Sequence, residues 1–522
     1  MSGIQIAGMA FFIISMLIGW AGFGYSIYKS VSLVKDKRAT VDLKDYLKSI
    51  ICGAILFVVG FTLGMLSIYL WNGYYATWQN YLQASFGGLI FSVCLVAGIN
   101  SFILHYYRKE LPTKLDNILF YIVMGVIPVI VFAFFLLTDG YADMGGERFL
   151  LPNGINFSTG FVRPDSSDKP NLAFYALCIL VGAVFVFLLS DHYLYKKYGK
   201  HGTIETTFIS AFPAGIIGAR IAYVIGNWTR DGFDVRVARG EWWSIFAIWE
   251  GGLTILGGAI AGIIVGVLVY IKTNKGRSIW TAVDLIVPTI LIAQAIGRWG
   301  NFFNCEVHGV LMDEAAWQWL PRIIFNNAHY SSTSGWAEPG MLYVPLFFIE
   351  FLVNLFGYFV IAHLFGIKFS KFTAPGDLCF GYVIWYGYTR VFMEPLRDSS
   401  YNMGADGYWS WLWSLIFVAA GSLLIAINHI VRFILNKRKN IDSPFSIRDN
   451  VAGGVTLLTL SLVFIVVGSV LMASNEGGLS IALNGFNIGV IYLVSGVSLF
   501  FLFSIIGVEL FFKFVNRGTQ IE

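Results

Sequence analysis

Charge is what this chain has least of. Of its 522 residues, 13% are Asp, Glu, Lys or Arg, about half of the roughly 25% usual in soluble domains. That shortfall excludes the string of soluble domains that the length alone would suggest. No polybasic arm is present, and no basic stripe interleaved with aromatics, so nucleic acid is excluded as a partner. The five cysteines (Cys52, Cys94, Cys178, Cys305 and Cys379) are odd in number and lie mostly in apolar runs. Lacking disulfide or zinc spacing, they read as small buried hydrophobes. With neither a metal cluster nor a nucleotide motif, no metal and no cofactor is expected.

Apolar residues make up 57% of the chain and mean hydropathy is +0.69. Runs of about 20 apolar residues, the length that crosses a bilayer core as a helix, recur from end to end. The expected fold is an all-α polytopic membrane protein of about thirteen transmembrane helices, at 4–28, 49–71, 83–107, 118–138, 170–190, 206–227, 246–271, 280–299, 344–366, 376–394, 409–431, 451–474 and 487–512. Met1 to Gly8 carries no Lys or Arg, and no small-residue cleavage site follows the first run. That run is therefore expected to be a retained helix with its N-terminus outside.

The basic residues test this orientation through the positive-inside rule. Of 35 Lys and Arg, 24 then fall in cytoplasmic segments and 8 in outer ones, and the C-terminus is cytoplasmic. Three arginines remain inside spans: Arg220, Arg298 and Arg390. Each sits in the outer half, or at the outer end, of a span running from inside to outside. A charge within the bilayer costs at least about 2.5–3.5 kcal/mol and points to function by default. Snorkelling or a structural ion pair is the alternative for any one of them.

The densest polar segment is AIGRWGNFFNCEVHG, Ala295 to Gly309. It ends a span and packs Arg298, Asn301, Asn304, Glu306 and His308 into the outer interface, where unpartnered polar groups would be costly. Asn and Glu suit the task of holding a guanidinium fork toward a phosphate. A second group, Tyr386, Arg390 and Glu394, is spaced i, i+4, i+8 along one helix face, so that Glu394 can pair with Arg390. Gly258, Gly262 and Gly266 form a small-residue ladder of the kind that packs helices closely. Asp284, near an inner span end, reads as a helix-start cap. Segment 310–343, with Trp317, Trp319 and Trp336, is expected to form a small outer head region on the interface.

The Gly297-Arg298-x-Gly300-Asn301-Phe302-x-Asn304-x-Glu306-x-x-Gly309 segment resembles the signature of the prolipoprotein diacylglyceryl transferases. Further stretches resemble that family in the same order: Phe174-Tyr175, Gly218-Ala-Arg220-Ile-Ala-Tyr223, Trp249-Glu-Gly251-Gly252 with Gly257-Gly258, Pro345 with Glu350, and Tyr386-Gly387 with Arg390 and Glu394. The likeness covers about 145–436 and implies a seven-helix transferase core, with a head region at 300–343. Residues 1–144 would then be a four-helix N-terminal membrane extension, and 437–522 a two-helix C-terminal one. The resemblance implies a bacterial cell-membrane enzyme that moves the diacylglyceryl group of phosphatidylglycerol to the Cys thiol of a prolipoprotein signal peptide. A thioether forms and glycerol phosphate leaves, the first step of lipoprotein maturation. The lipid bilayer is its environment and the source of its donor.

On that resemblance Arg298, Arg390 and His308 are the catalytic candidates. Tyr175, Arg220, Asn301, Asn304, Glu306, Gly309, Glu350, Tyr386 and Glu394 are the substrate-binding candidates. One departure stands out: the family's His before the second Gly-Gly pair is Leu256 here. His308 could take the thiol proton instead, the arginines could lower the thiol's pKa, or this copy could be slow or inactive. Two other classes stay open from the residues alone, a transporter of an anionic lipid or solute and a non-catalytic scaffold that binds an anionic headgroup.

Overall fold

A computed structural model describes residues 150–156, 160–170, 172–199, 203–229, 231–246, 252, 254–370, 373–397, 408–438, 451–474 and 485–518, with isolated positions between 14 and 28. The first four expected spans therefore lie outside the described residues, apart from those isolated positions. So do Trp249, Glu250 and Gly251, and the side chain of Leu256.

The chain divides into two compact units. The described part of the first is small, drawn mainly from 313–329 and 338–342. Asp313 caps a 3-10 turn by accepting from the Ala315 amide (2.9 Å), and helix α7 follows at Arg322–Asn327. His329 bonds the Phe325 carbonyl and Glu314 (2.9 and 3.0 Å). Trp317 and Trp319 stack on each other. These contacts lie within the segment expected to form the head region.

The second unit holds the long helices. Strands β1 (Gly154–Asn156), β2 (Gly160–Val162) and β3 (Leu172–Ala173) form a small antiparallel sheet in the order β2-β1-β3. The helices are α1 (Phe174–Tyr198), α2 (Glu205–Gly226), the short α3 (Phe233–Ala238), α4 (Ile255–Thr273), α5 (Ile279–Ile286), α6 (Ile290–Phe303), α8 (Leu346–Tyr358), α9 (Asp377–Met393), α10 (Tyr408–Arg438), α11 (Val451–Ser474) and α12 (Gly485–Gly518). A 3-10 turn at Val287–Thr289 joins α5 to α6, and a π-helical stretch, Phe359–Lys368, prolongs α8.

Seven of these segments are long and apolar enough to cross a membrane: Phe174–Tyr198, Glu205–Gly226, Ile279–Phe303, Leu346–Lys368, Trp411–Arg438, Gly454–Ser474 and Asn487–Val508. The chain is a multi-pass helical membrane protein. Of the thirteen expected spans, the nine that fall on described residues are these seven and two shorter helices, α4 and α9, and the first four lie, isolated positions apart, outside the described residues. One expected span also begins late. Phe246 ends a 3-10 turn begun at Trp242, Gly252 has φ 71°, and α4 starts at Ile255. A left-handed backbone of this kind suits glycine and interrupts a helix.

Local sequence explains how the helices end and meet. Gly199 closes α1 with φ 67°, its amide bonded to the Tyr195 carbonyl (2.7 Å), and Lys196 and Lys197 occupy the last turn where the helix dipole favours cations. The expected glycine ladder is a packing seam between α2 and α4. A Cβ on Gly218 would lie 2.8 Å from the Gly257 carbonyl, and one on Gly258 would lie 3.0 Å from the Gly215 carbonyl. On α6, Trp299 meets Phe347 and Phe351 of α8 edge-on at 5.7 and 5.6 Å. That contact fixes the two helices whose neighbouring residues build the site.

Candidate functional site

Arg298 stands on the last turns of α6, Glu350 on the second turn of α8 and Arg390 on the last turn of α9. The fold brings all three together. Glu350 ion-pairs with Arg298 through Nε, and its other oxygen lies 3.7 Å from Arg390. Arg390 pairs in turn with Glu394, and Glu394 accepts from Arg397 (3.4 Å). Five charges therefore alternate in a chain: Arg298, Glu350, Arg390, Glu394, Arg397. Three cations against two anions leave one net positive charge.

The two signs are not equally exposed. Both carboxylates are 2% exposed at the side chain, whereas Arg298 is 23%, Arg390 17% and Arg397 12% exposed. Buried acids thus hold partly open guanidinium groups. An ion buried without a partner would cost several kcal/mol, so this alternation is what lets the charges sit in an apolar bundle. Burial, and then the neighbouring Arg390, pushes the pKa of Arg397 below its ordinary value.

Arg298 also donates to Asn301 Oδ1 (3.4 Å), and the amides of Asn301 and Asn304 donate to Glu306 Oε1 (3.0 and 3.3 Å). The backbone around Glu306 is strained into place. Cys305 and Val307 have φ of 48° and 58°, a region that costs non-glycine residues of order 1–3 kcal/mol. The Glu306 amide returns to the Asn301 carbonyl (3.0 Å). Burial raises the carboxyl pKa of Glu306, opposed by the two Asn hydrogen bonds. Next to it, burial pushes the Cys305 thiol up to about 12.

Gly309 ties the three helix ends together. Its amide donates to the Val344 carbonyl just ahead of α8 (2.8 Å), and the next amide, Val310, donates to the Leu396 carbonyl just beyond α9 (3.0 Å). Gly309 also bridges Arg397. A Cβ there would lie 2.7 Å from both the Leu396 carbonyl oxygen and Val344. Tyr175, in the first turn of α1, fills the space left by Gly300: a Cβ on Gly300 would sit 3.1 Å from the Tyr175 Cα. The phenol is within electrostatic reach of Arg298 and Glu306.

Other candidates have other surroundings. Arg220, 5% exposed, donates to the carbonyls of Ile245 (2.9 Å), Ser244 (2.8 Å) and Gly252 (3.2 Å). Three of its five N–H groups thus hold the chain between α3 and α4 in shape. His308 is 1% exposed and lies against the rings of Tyr343 and Phe347. Tyr386 stacks on Tyr382 and meets Phe417 of α10 edge-on. Arg397 is the member that sequence reasoning missed, because it was counted with the basic residues of the loop after α9. Its i, i+3 spacing from Glu394 was the available signal.

Fold and site together define a multi-pass helical membrane protein with an arginine-lined polar site where three helices end. The family model of prolipoprotein diacylglyceryl transferase matches residues 168–427. Phosphatidylglycerol–prolipoprotein diacylglyceryl transferases of Streptococcus suis (strain 05ZYH33) and Streptococcus pneumoniae (strain ATCC 700669) are 32% and 34% identical, each over 49% of this chain and 88% of their own length. That of Malacoplasma penetrans is 32% identical over 50% of this chain and 75% of its own. The chain belongs to the prolipoprotein diacylglyceryl transferase family.

Proposed function

We propose that the protein transfers the diacylglyceryl group of phosphatidylglycerol to the cysteine thiol of a prolipoprotein signal peptide. The observation that carries this reading is Glu350, which engages Arg298 from one helix and Arg390 from another. Two guanidinium groups are thereby held side by side with one net positive charge, suited to a phosphodiester monoanion. The cysteine sulfur attacks a glycerol carbon of the lipid, a C–S bond forms, and the C–O bond to phosphate breaks. The electron pair leaves on glycerol phosphate, and the thiol proton passes to water. Charge grows on that phosphate as the bond stretches, so fixed arginines stabilise the transition state more than the bound lipid.

In this reading Arg298 and Arg390 are catalytic. Asn301, Asn304 and Glu306 orient Arg298, Glu350 and Glu394 hold the arginines, and Tyr175 and Arg397 complete the headgroup site. Gly309 keeps the helix ends in register, Tyr386 packs α9 against α10, and Arg220 shapes the loop before α4. The enclosed position of His308 between aromatic rings favours a different answer to Leu256: the arginines lower the pKa of the incoming thiol, so that no dedicated base is needed. The transporter and scaffold readings have no observation of their own in their favour.

The positive-inside count supports an outer-face site with the N-terminus outside and the C-terminus cytoplasmic, in a bacterial cell membrane. A lipid donor and a peptide emerging on the outer face would both reach it there. The core would run over 145–436, flanked by membrane extensions at 1–144 and 437–522. Membranes carrying Arg298→Ala or Arg390→Ala are expected to lose lipidation of a lipobox peptide by about 10²–10³-fold, read as the mass shift on its cysteine. Unchanged lipidation in both variants would refute these roles.

A further inference from the structure

A second cationic site lies at the far end of α1. Tyr175 opens that helix against Gly300 at the arginine site, and Tyr198 closes it. The two are separated by about 35 Å at 1.5 Å per residue. Beside Tyr198, between the start of α2 and the end of α4, is a cavity of about 400 Å³. Lys272, Lys275 and Arg277 line it with Thr203, Thr206 and Asn274, and no acidic side chain is among its lining residues.

The cavity is built rather than incidental. Arg277 donates to Thr203 Oγ1 (2.8 Å) and Asn274 Oδ1 (3.0 Å), and its guanidinium sits 4.5 Å over the Tyr198 ring centre. Asn274 donates to the Thr203 carbonyl (3.1 Å). Gly276, with φ 82°, turns the chain between them. These bonds clamp the turn after α4 onto the residues that precede α2, so Arg277 is fixed before any ligand arrives. Lys272 and Lys275 are exposed beside it.

Three cations with hydroxyl and amide donors, and no carboxylate among the described lining residues, suit an anion. Its volume exceeds what a single small inorganic ion needs. Basic pockets between membrane helices hold phosphate-bearing headgroups by the same means.

We propose that this cavity binds a phosphate group of net negative charge, a monoester or an anionic diester with no cation of its own, at the membrane face opposite the arginine site. A lipid headgroup and a free phosphate share that chemistry, and the test separates them. It needs no assumption about the transfer reaction.

The full-length protein is loaded with phosphatidic acid or with phosphatidylcholine and bound lipid is counted by native mass spectrometry. Phosphatidic acid is expected to bind in preference, and Lys272→Gln/Lys275→Gln to lower its occupancy about tenfold. Arg298→Gln should leave this component in place, which separates it from lipid held at the arginine site. Both lysines are exposed, so the double variant keeps the fold, checked by an unchanged unfolding temperature. A parallel thermal-shift series uses inorganic phosphate at millimolar concentration. Stabilisation of wild type but not of the double variant assigns free phosphate, and a response to phosphatidic acid alone assigns a lipid headgroup. Equal binding of both probes by wild type and double variant, or equal occupancy by phosphatidylcholine, would overturn the proposal.

Discussion

At the scale of single residues, Glu350 has the largest structural consequence. It is buried and shared by two arginines. Glu350→Gln leaves Arg298 without its carboxylate partner and Arg390 with Glu394 alone, and breaking a buried ion pair costs about 3–5 kcal/mol. The expected result is a lower unfolding temperature together with lost lipidation, whereas Arg390→Lys keeps the charge and most of the stability while losing the fork geometry.

Glu306 carries a pH signature. Its folded pKa is raised by burial, so the folded state holds a proton that the unfolded chain gives up first. Its contribution to stability is complete below the ordinary glutamate range and is lost as pH rises through the raised folded value. Glu306→Gln, a mimic of the protonated acid, should flatten that decline in a series of melts from pH 4 upward, and an unchanged slope would count against it.

How much of this was legible in the sequence differs residue by residue. Arg298, Arg390 and Glu394 stood out as charges in apolar runs or at helical spacing. The sharing of Glu350 by two helices is tertiary, and no local pattern announces it. The carbonyl partners of Arg220 are backbone groups, which carry no side-chain signal at all. The strained φ of Cys305 and Val307 runs against their residue types, so propensity pointed the wrong way there. Tyr175 was found through its motif, and its reason, the vacancy at Gly300, appeared only in three dimensions.

At the scale of elements, the nine long apolar runs beyond residue 144 were legible because length and hydropathy alone define a span. Their edges were less so: the glycine-governed entry to α4 moved one start by several residues. Beyond the family match, α12 packs against the site-bearing helix from behind. The Tyr388 hydroxyl donates to Ser495 (2.8 Å), and Val490, Ile491 and Val494 lie against Val391, Trp411 and Leu415. Tyr388 and Arg390 are two residues apart on a helix and so face roughly opposite ways. Ser495→Ala is expected to lower stability by about 1 kcal/mol. Tyr388→Phe/Ser495→Ala should cost no more than Ser495→Ala alone, because Ser495→Ala already removes the bond that Tyr388→Phe removes, along with its own bond to the Ile491 carbonyl. Additive losses in thermal melts would show the two act separately.

At the scale of the whole molecule, the distribution of Lys and Arg gives an orientation that can be checked directly. A cysteine introduced at Lys275 should be shielded from a membrane-impermeant maleimide in intact cells and labelled after permeabilisation, while one at Trp319 should be labelled in both. The reverse pattern would invert the topology.

Helix α1 has 25 residues, about 37 Å of length against a hydrocarbon core near 30 Å. Its first turn belongs to the arginine site and its last to the second basic cavity, so both ends reach the headgroup layers at once. In a thinner membrane the helix must tilt, or the lipid must deform around it, and either response moves the two proposed phosphate sites relative to their own leaflets.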